Sequence, residues 1–136
     1  MNEYVKQAKD FLESCNATMA ITYLGKGVNK NWNEYQLRNV YRATITTPKG
    51  SMWVKFWDSI ANTESKEQPT EYDILACLQK YEVGDFEDFV YEFGYEVDEF
   101  HDRQRAKNIY YAVCAEYEKI KRCFTEEQIE AMREIQ

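Results

Sequence analysis

Apolar residues alternate with polar ones between residues 18 and 57, and recur every three or four positions on either side of that stretch. A period of two places successive side chains on opposite faces of a strand, whereas a period near 3.6 gathers them on one face of a helix. Tyr4, Ala8, Phe11, Leu12 and Cys15 therefore predict a first helix over residues 2–15. Met19, Ile21 and Tyr23 predict a strand from Thr18, which Gly25-Lys26-Gly27 is expected to break. A polar connection through Asn29, Lys30, Asn31 and Asn33 leads to a second strand over 37–47. The turn Pro48-Lys49-Gly50 then joins it to a third strand from Ser51 to Trp57, making a hairpin.

Beyond a polar loop over 59–68 the helical period returns. Thr70 predicts an N-cap, with Glu71 and Asp73 in the first turn, where carboxylates favour the helix dipole. Ile74, Leu75, Leu78 and Tyr81 form that helix's apolar stripe, and Gly84 ends it. Asp85 caps the next helix, with Phe86, Phe89, Val90 and Phe93 inward and Gly94 as the stop. The longest helix is expected from about Asp98 to Phe124, on Ala106, Ile109, Tyr110, Val113, Cys114, Tyr117 and Ile120. Thr125 to Gln128 is a capping box that opens a last helix with Ile129, Met132 and Ile135. The order implies the α+β class, a three-stranded antiparallel sheet with an N-terminal helix and a C-terminal cluster of about four helices. The 136 residues suit a single domain, with 1–58 as helix plus sheet and 69–136 as the helical part.

Charge is distributed unevenly along this pattern. The net charge is −7, yet residues 1–63 carry eight Lys/Arg against five Asp/Glu, and residues 103–136 carry seven against six. Residues 64–102 hold two Lys and thirteen Asp/Glu, a local balance of −11. With Phe86, Phe89, Val90 and Phe93 inward, helical spacing turns Glu87, Asp88 and Glu92 outward. Glu96, Asp98, Glu99 and Asp102 follow, while Glu71, Asp73 and Glu82 fall outside the preceding stripe. Solubility and helix N-termini account for part of such a surface. The remainder suits a Lys/Arg-lined partner and repels DNA and RNA, whose affinity comes largely from cations set against phosphate, so direct nucleic-acid binding is disfavoured there.

The sheet offers a rival surface. If Tyr41, Ala43, Ile45, Met52, Val54 and Phe56 face the core, the other side presents Arg42, Thr44, Thr46, Trp53, Lys55 and Trp57. Aromatics interleaved with cations can stack bases and hold phosphates, which would suit a nucleic-acid-binding accessory or autoregulatory protein. The simpler expectation has helices cover that side, burying Trp53 and Trp57 while Lys55 snorkels to water.

Catalytic constellations are not written in the chain. The single histidine, His101, sits in an acidic helix start, and neither H-x-x-x-H nor C-x-x-C occurs, so no metal or other cofactor is expected. Cys15, Cys77, Cys114 and Cys123 lie in or beside apolar stripes and read as buried free thiols of a reducing, cytoplasmic setting. Gly25-Lys26-Gly27 lacks the P-loop pattern. No window reaches the roughly 18 apolar residues of a spanning helix, so no membrane partner is expected. Four aromatic-striped helices fit a homodimer interface as readily as an internal core.

The segments PTEYDILACLQKYEVGDFEDFVYEFGYE (69–96) and IYYAVCAEYEKIKRCFTEEQIEAMREI (109–135), with WVKFWDSIANT (53–63), resemble a group of small proteins carried by bacterial phages and mobile elements. Small, acidic proteins of this sort are similar in physical type to the anti-CRISPR proteins that inhibit Cas9. The resemblance implies a non-enzymatic inhibitor in a bacterial host cell, bound to a basic protein surface such as Cas9 or its guide-RNA complex. Glu87, Asp88, Glu92, Glu96, Asp98 and Glu99 would then supply the complementary field, with Tyr91 and Tyr95 as anchors.

Overall fold

The computed structural model describes residues 3–28, 36–58, 67–79, 81, 86–93 and 100–135. The change of period at residue 18 is the passage from α1 (Glu3–Ser14) to β1 (Thr18–Gly27). There follow β2 (Arg38–Thr47), β3 (Gly50–Trp57), α2 (Glu71–Gln79), α3 (Phe86–Phe93), α4 (Phe100–Cys123) and α5 (Glu126–Arg133). The strands form one antiparallel sheet in the order β1-β2-β3, so the α+β class follows the expected pattern. The expected stops and caps at Gly84, Asp85 and Gly94, the carboxylate of Glu82, the side chain of Phe93, and residues 29–35 and 59–66 lie outside the described residues.

Local rules explain the junctions. Asn16 leaves α1 at φ 54°, a left-handed conformation that asparagine tolerates. Ala17 N–H donates to the Leu12 carbonyl at 2.8 Å and Asn16 N–H to that of Glu13 at 3.0 Å. This Schellman-type closure turns the chain directly into β1. Gly25-Lys26-Gly27 does not end the strand, contrary to the sequence-based expectation. The register slips between Tyr23 and Gly25, leaving Leu24 as an extra residue, and Gly25 at φ 110° absorbs the bulge.

Register then settles the two faces of the sheet. Met19, Ile45 and Met52 form one row across the strands; Ile21, Ala43 and Val54 form the next, and Tyr23, Tyr41 and Phe56 the third. On β2 and β3 the residues of the first two rows are buried, beneath α1, α2, α5 and the end of α4. Ala8, Phe11 and Leu12, then Ile74, Leu75 and Leu78, then Ile120, Cys123, Phe124, Ile129 and Met132 close this main core. Tyr4, assigned to the α1 stripe by its spacing, is instead half exposed and stacks on Tyr72 with ring centroids 5.3 Å apart.

The β2–β3 turn fastens the C-terminus of α4. Thr47 Oγ1 donates to the Cys123 carbonyl at 2.6 Å, and Lys49 Nζ donates to the Lys121 and Phe124 carbonyls, each at 3.3 Å. A cation on terminal carbonyls satisfies orphan acceptors and opposes the negative end of the helix dipole. α4 spans 24 residues and so reaches about 36 Å along its axis. Its N-terminal half leaves the main core and builds a second one, in which Phe89 and Val90 of α3 pack on Ala106, Ile109 and Val113. Tyr81 packs against both cores.

Candidate functional site

α3 is an eight-residue helix with sharply divided faces. Phe89 and Val90 are buried against α4, and Phe86 is partly buried with its ring edge-on to Tyr110 at 5.6 Å. Tyr110 also lies 5.4 Å from Phe89, so aromatic contact backs the helix along its inner side. Glu87 and Asp88 are exposed on the outward face, as spacing predicts, and Tyr91, four and three residues on, shares it. Tyr91 is 92% exposed. Glu92 also lies on α3, with its side chain outside the described residues, as are Tyr95, Glu96, Asp98 and Glu99.

The carboxylates outside α3 are not uniformly directed to solvent. Glu71 lies 3.9 Å from Lys9 of α1. Asp73 accepts from Thr70 N–H at 2.9 Å and Thr70 Oγ1 at 3.1 Å, while its own N–H donates to that hydroxyl at 3.4 Å. That reciprocal pair caps α2. Asp102 accepts from Arg105 at 2.9 Å. Outside α3, then, Glu71, Asp73 and Asp102 are each engaged by a cap or a cation.

On the sheet, the expectation of a helix-covered tryptophan side is corrected. The helices occupy the opposite face, and Trp53 is 45% exposed. Arg42 and Lys55, cross-strand partners on the same face, are exposed beside it. The Arg42 guanidinium lies 4.9 Å from the Trp53 ring centroid, and Lys119 Nζ of α4 lies 5.1 Å from it. Glu116 holds Lys119 at 2.9 Å. Trp57 is partly buried and spans Val40 toward Gly27, where an added Cβ would come 3.3 Å from Val40 and 3.6 Å from the indole. Lys119 is remote from the strands in sequence, so no local pattern points to its place beside Trp53.

Burial shifts several of the titratable groups. Burial pushes the Cys15 and Cys123 thiols up, away from the reactive thiolate. Burial, with the nearby Cys77 and Glu116, holds the Tyr81 phenol well above its usual range. His101 is exposed and packs edge-on to Phe100 at 5.6 Å. No group of three or more His, Cys, Asp or Glu among the described residues is placed to hold a metal, and no described helix is long and apolar enough to cross a membrane. Compared with protein-family models, curated proteins and solved structures, the chain matches none.

Proposed function

We propose that the chain is a non-enzymatic binding protein that seats the outer face of α3 on a basic protein surface and inhibits the protein that carries it. The observation behind this reading is Tyr91, almost fully exposed on the same helix face as Glu87 and Asp88. A tyrosine carries a large, rigid contact area at little entropic cost and is enriched at the energetic centres of interfaces. Carboxylates around it speed encounter with a cationic partner and disfavour phosphate. The buried Phe89 and Val90 keep that face in one orientation, so little ordering remains for the encounter.

The sequence resemblance supplies the partner class: the Arg/Lys-lined nucleic-acid groove of Cas9 or of its guide-RNA complex, in the bacterial cytoplasm. Cleavage assays and binding kinetics with the wild-type chain, the Glu87→Lys/Asp88→Lys variant and Tyr91→Ala test the proposal. Charge reversal lowers the association rate and its salt dependence, whereas Tyr91→Ala speeds dissociation by roughly 30-fold, the scale of one interfacial anchor. Lysines near the start of α3 cost about 0.3–1 kcal/mol of helix stability, so Glu87→Gln/Asp88→Asn provides the neutral control. A wild-type chain that leaves Cas9 cleavage untouched overturns the target. A folded double reversal that inhibits as strongly as wild type overturns the surface.

A further inference from the structure

We infer that the open face of the sheet, centred on Trp53, is a second binding site and takes single-stranded nucleic acid. Register builds this face from three rows: Thr18, Thr46 and Ser51; then Ala20, Thr44 and Trp53; then Thr22, Arg42 and Lys55. None of these nine outward positions is a carboxylate, and the two charged ones are both cations. The remainder are small or hydroxylated, apart from the indole. The face is thus a shallow floor of short side chains with one projecting aromatic, bordered by exposed guanidinium and ammonium groups.

Each part matches a different feature of the ligand. An unpaired base can stack on the exposed part of Trp53 by displacing the Arg42 guanidinium, 4.9 Å from the ring centroid, and stacking needs no particular base because each has a π-face. Arg42 and Lys55 meet adjacent phosphates, and the threonine and serine hydroxyls can donate to phosphate or sugar oxygens. Lys119 shares its charge with Glu116, so its part is to hold the indole from the α4 side. A duplex hides its base faces within the stack and cannot use the indole in this way.

The described carboxylates of α3 do not cancel this local charge at physiological salt. The α3 contacts on α4 centre near Ile109, and Lys119 lies about 15 Å farther along that helix by its rise. That exceeds the roughly 8 Å over which exposed charges act at physiological salt.

Anisotropy of a short labelled single-stranded oligonucleotide tests the inference, titrated with the full chain from low to high salt. Binding is expected at low salt, with Trp53→Ala weaker by about tenfold or more and Trp53→Phe close to wild type. Arg42→Gln and Lys55→Gln each reduce the salt slope by about 0.7 if each neutralises one phosphate of a single strand. Tyr91→Ala binds the oligonucleotide as wild type does, which separates this face from α3. Absence of binding at low salt overturns the inference. So does a duplex bound as tightly as the single strand, or Trp53→Ala binding unchanged with a native near-ultraviolet spectrum.

Discussion

Replacing Phe89 with alanine tests whether α3 is a separately anchored part of the molecule. Phe89 is 0% exposed, and among the described side chains of α3 Val90 and the partly buried Phe86 join it in holding the helix on Ala106, Ile109 and Val113. Burying a phenylalanine and a valine is worth about 1.5–3 kcal/mol each, and a helix of eight residues is marginal in water without such contacts. Phe→Ala in a packed site costs about 3–5 kcal/mol, comparable to what Phe89 and Val90 together gain by burial. Among the described residues, the main core shares Tyr81 alone with the second core. Hydrogen exchange of Phe89→Ala is therefore expected to show lost protection over residues 86–93 and the facing turns of α4, with β2 and β3 protected as before. Binding through Tyr91 disappears, while binding through Trp53 persists. If the strands lose as much protection as α3, the two cores are one cooperative unit and the reasoning fails; retained protection of α3 refutes the energetic comparison.

Thr47→Val removes the hydroxyl that donates to the Cys123 carbonyl at 2.6 Å and accepts from Lys49 N–H at 3.2 Å and Gly50 N–H at 3.3 Å. The cost is about 1–3 kcal/mol in urea unfolding, largely restored by Thr47→Ser, and an unchanged midpoint in the valine variant contradicts it. Burial raises the Cys15 and Cys123 thiols above their ordinary 9.0, so the unfolded chain loses those protons first. The stability they lend is complete below pH 9.0 and is lost as pH climbs through the folded values. Urea midpoints fall across the alkaline range, and less steeply in Cys15→Ala/Cys123→Ala; equal slopes rule out this origin.

The elements themselves were legible because each apolar stripe states which period it obeys. Phe11 and Leu12 on α1, Ile74 and Leu75 on α2, and Ile129 and Met132 on α5 are buried where spacing places them. The capping box is also present, with Gln128 N–H donating to Thr125 Oγ1 at 3.2 Å and Thr125 N–H to Gln128 Oε1 at 2.8 Å. Gly25-Lys26-Gly27 misled because a glycine pair is compatible with a break or a bulge, and only pairing to Val40 and Arg38 distinguishes them. The acidic count could not register Lys9 beside Glu71, or Asp73 turned back on Thr70. Glu87 and Asp88 were legible as outward residues of α3, since helix spacing within eight residues leaves little freedom.

Alternation along the strands determined which residues share a face, and the stripes determined that helices would cover one of the two. It could not determine which one, because both carry large apolar groups: Ile45 and Val54 on one, Trp53 and Trp57 on the other. Tertiary structure decided that, by placing α1, α2 and α5 over Ala43, Ile45, Met52 and Val54 and leaving the indole of Trp53 to water. It also brought Lys119 to that indole across 66 positions of chain, and set α3 on the far half of α4. Periodicity is a property of neighbours in sequence, whereas the choice of face depends on which packing fills the most volume between elements far apart along the chain.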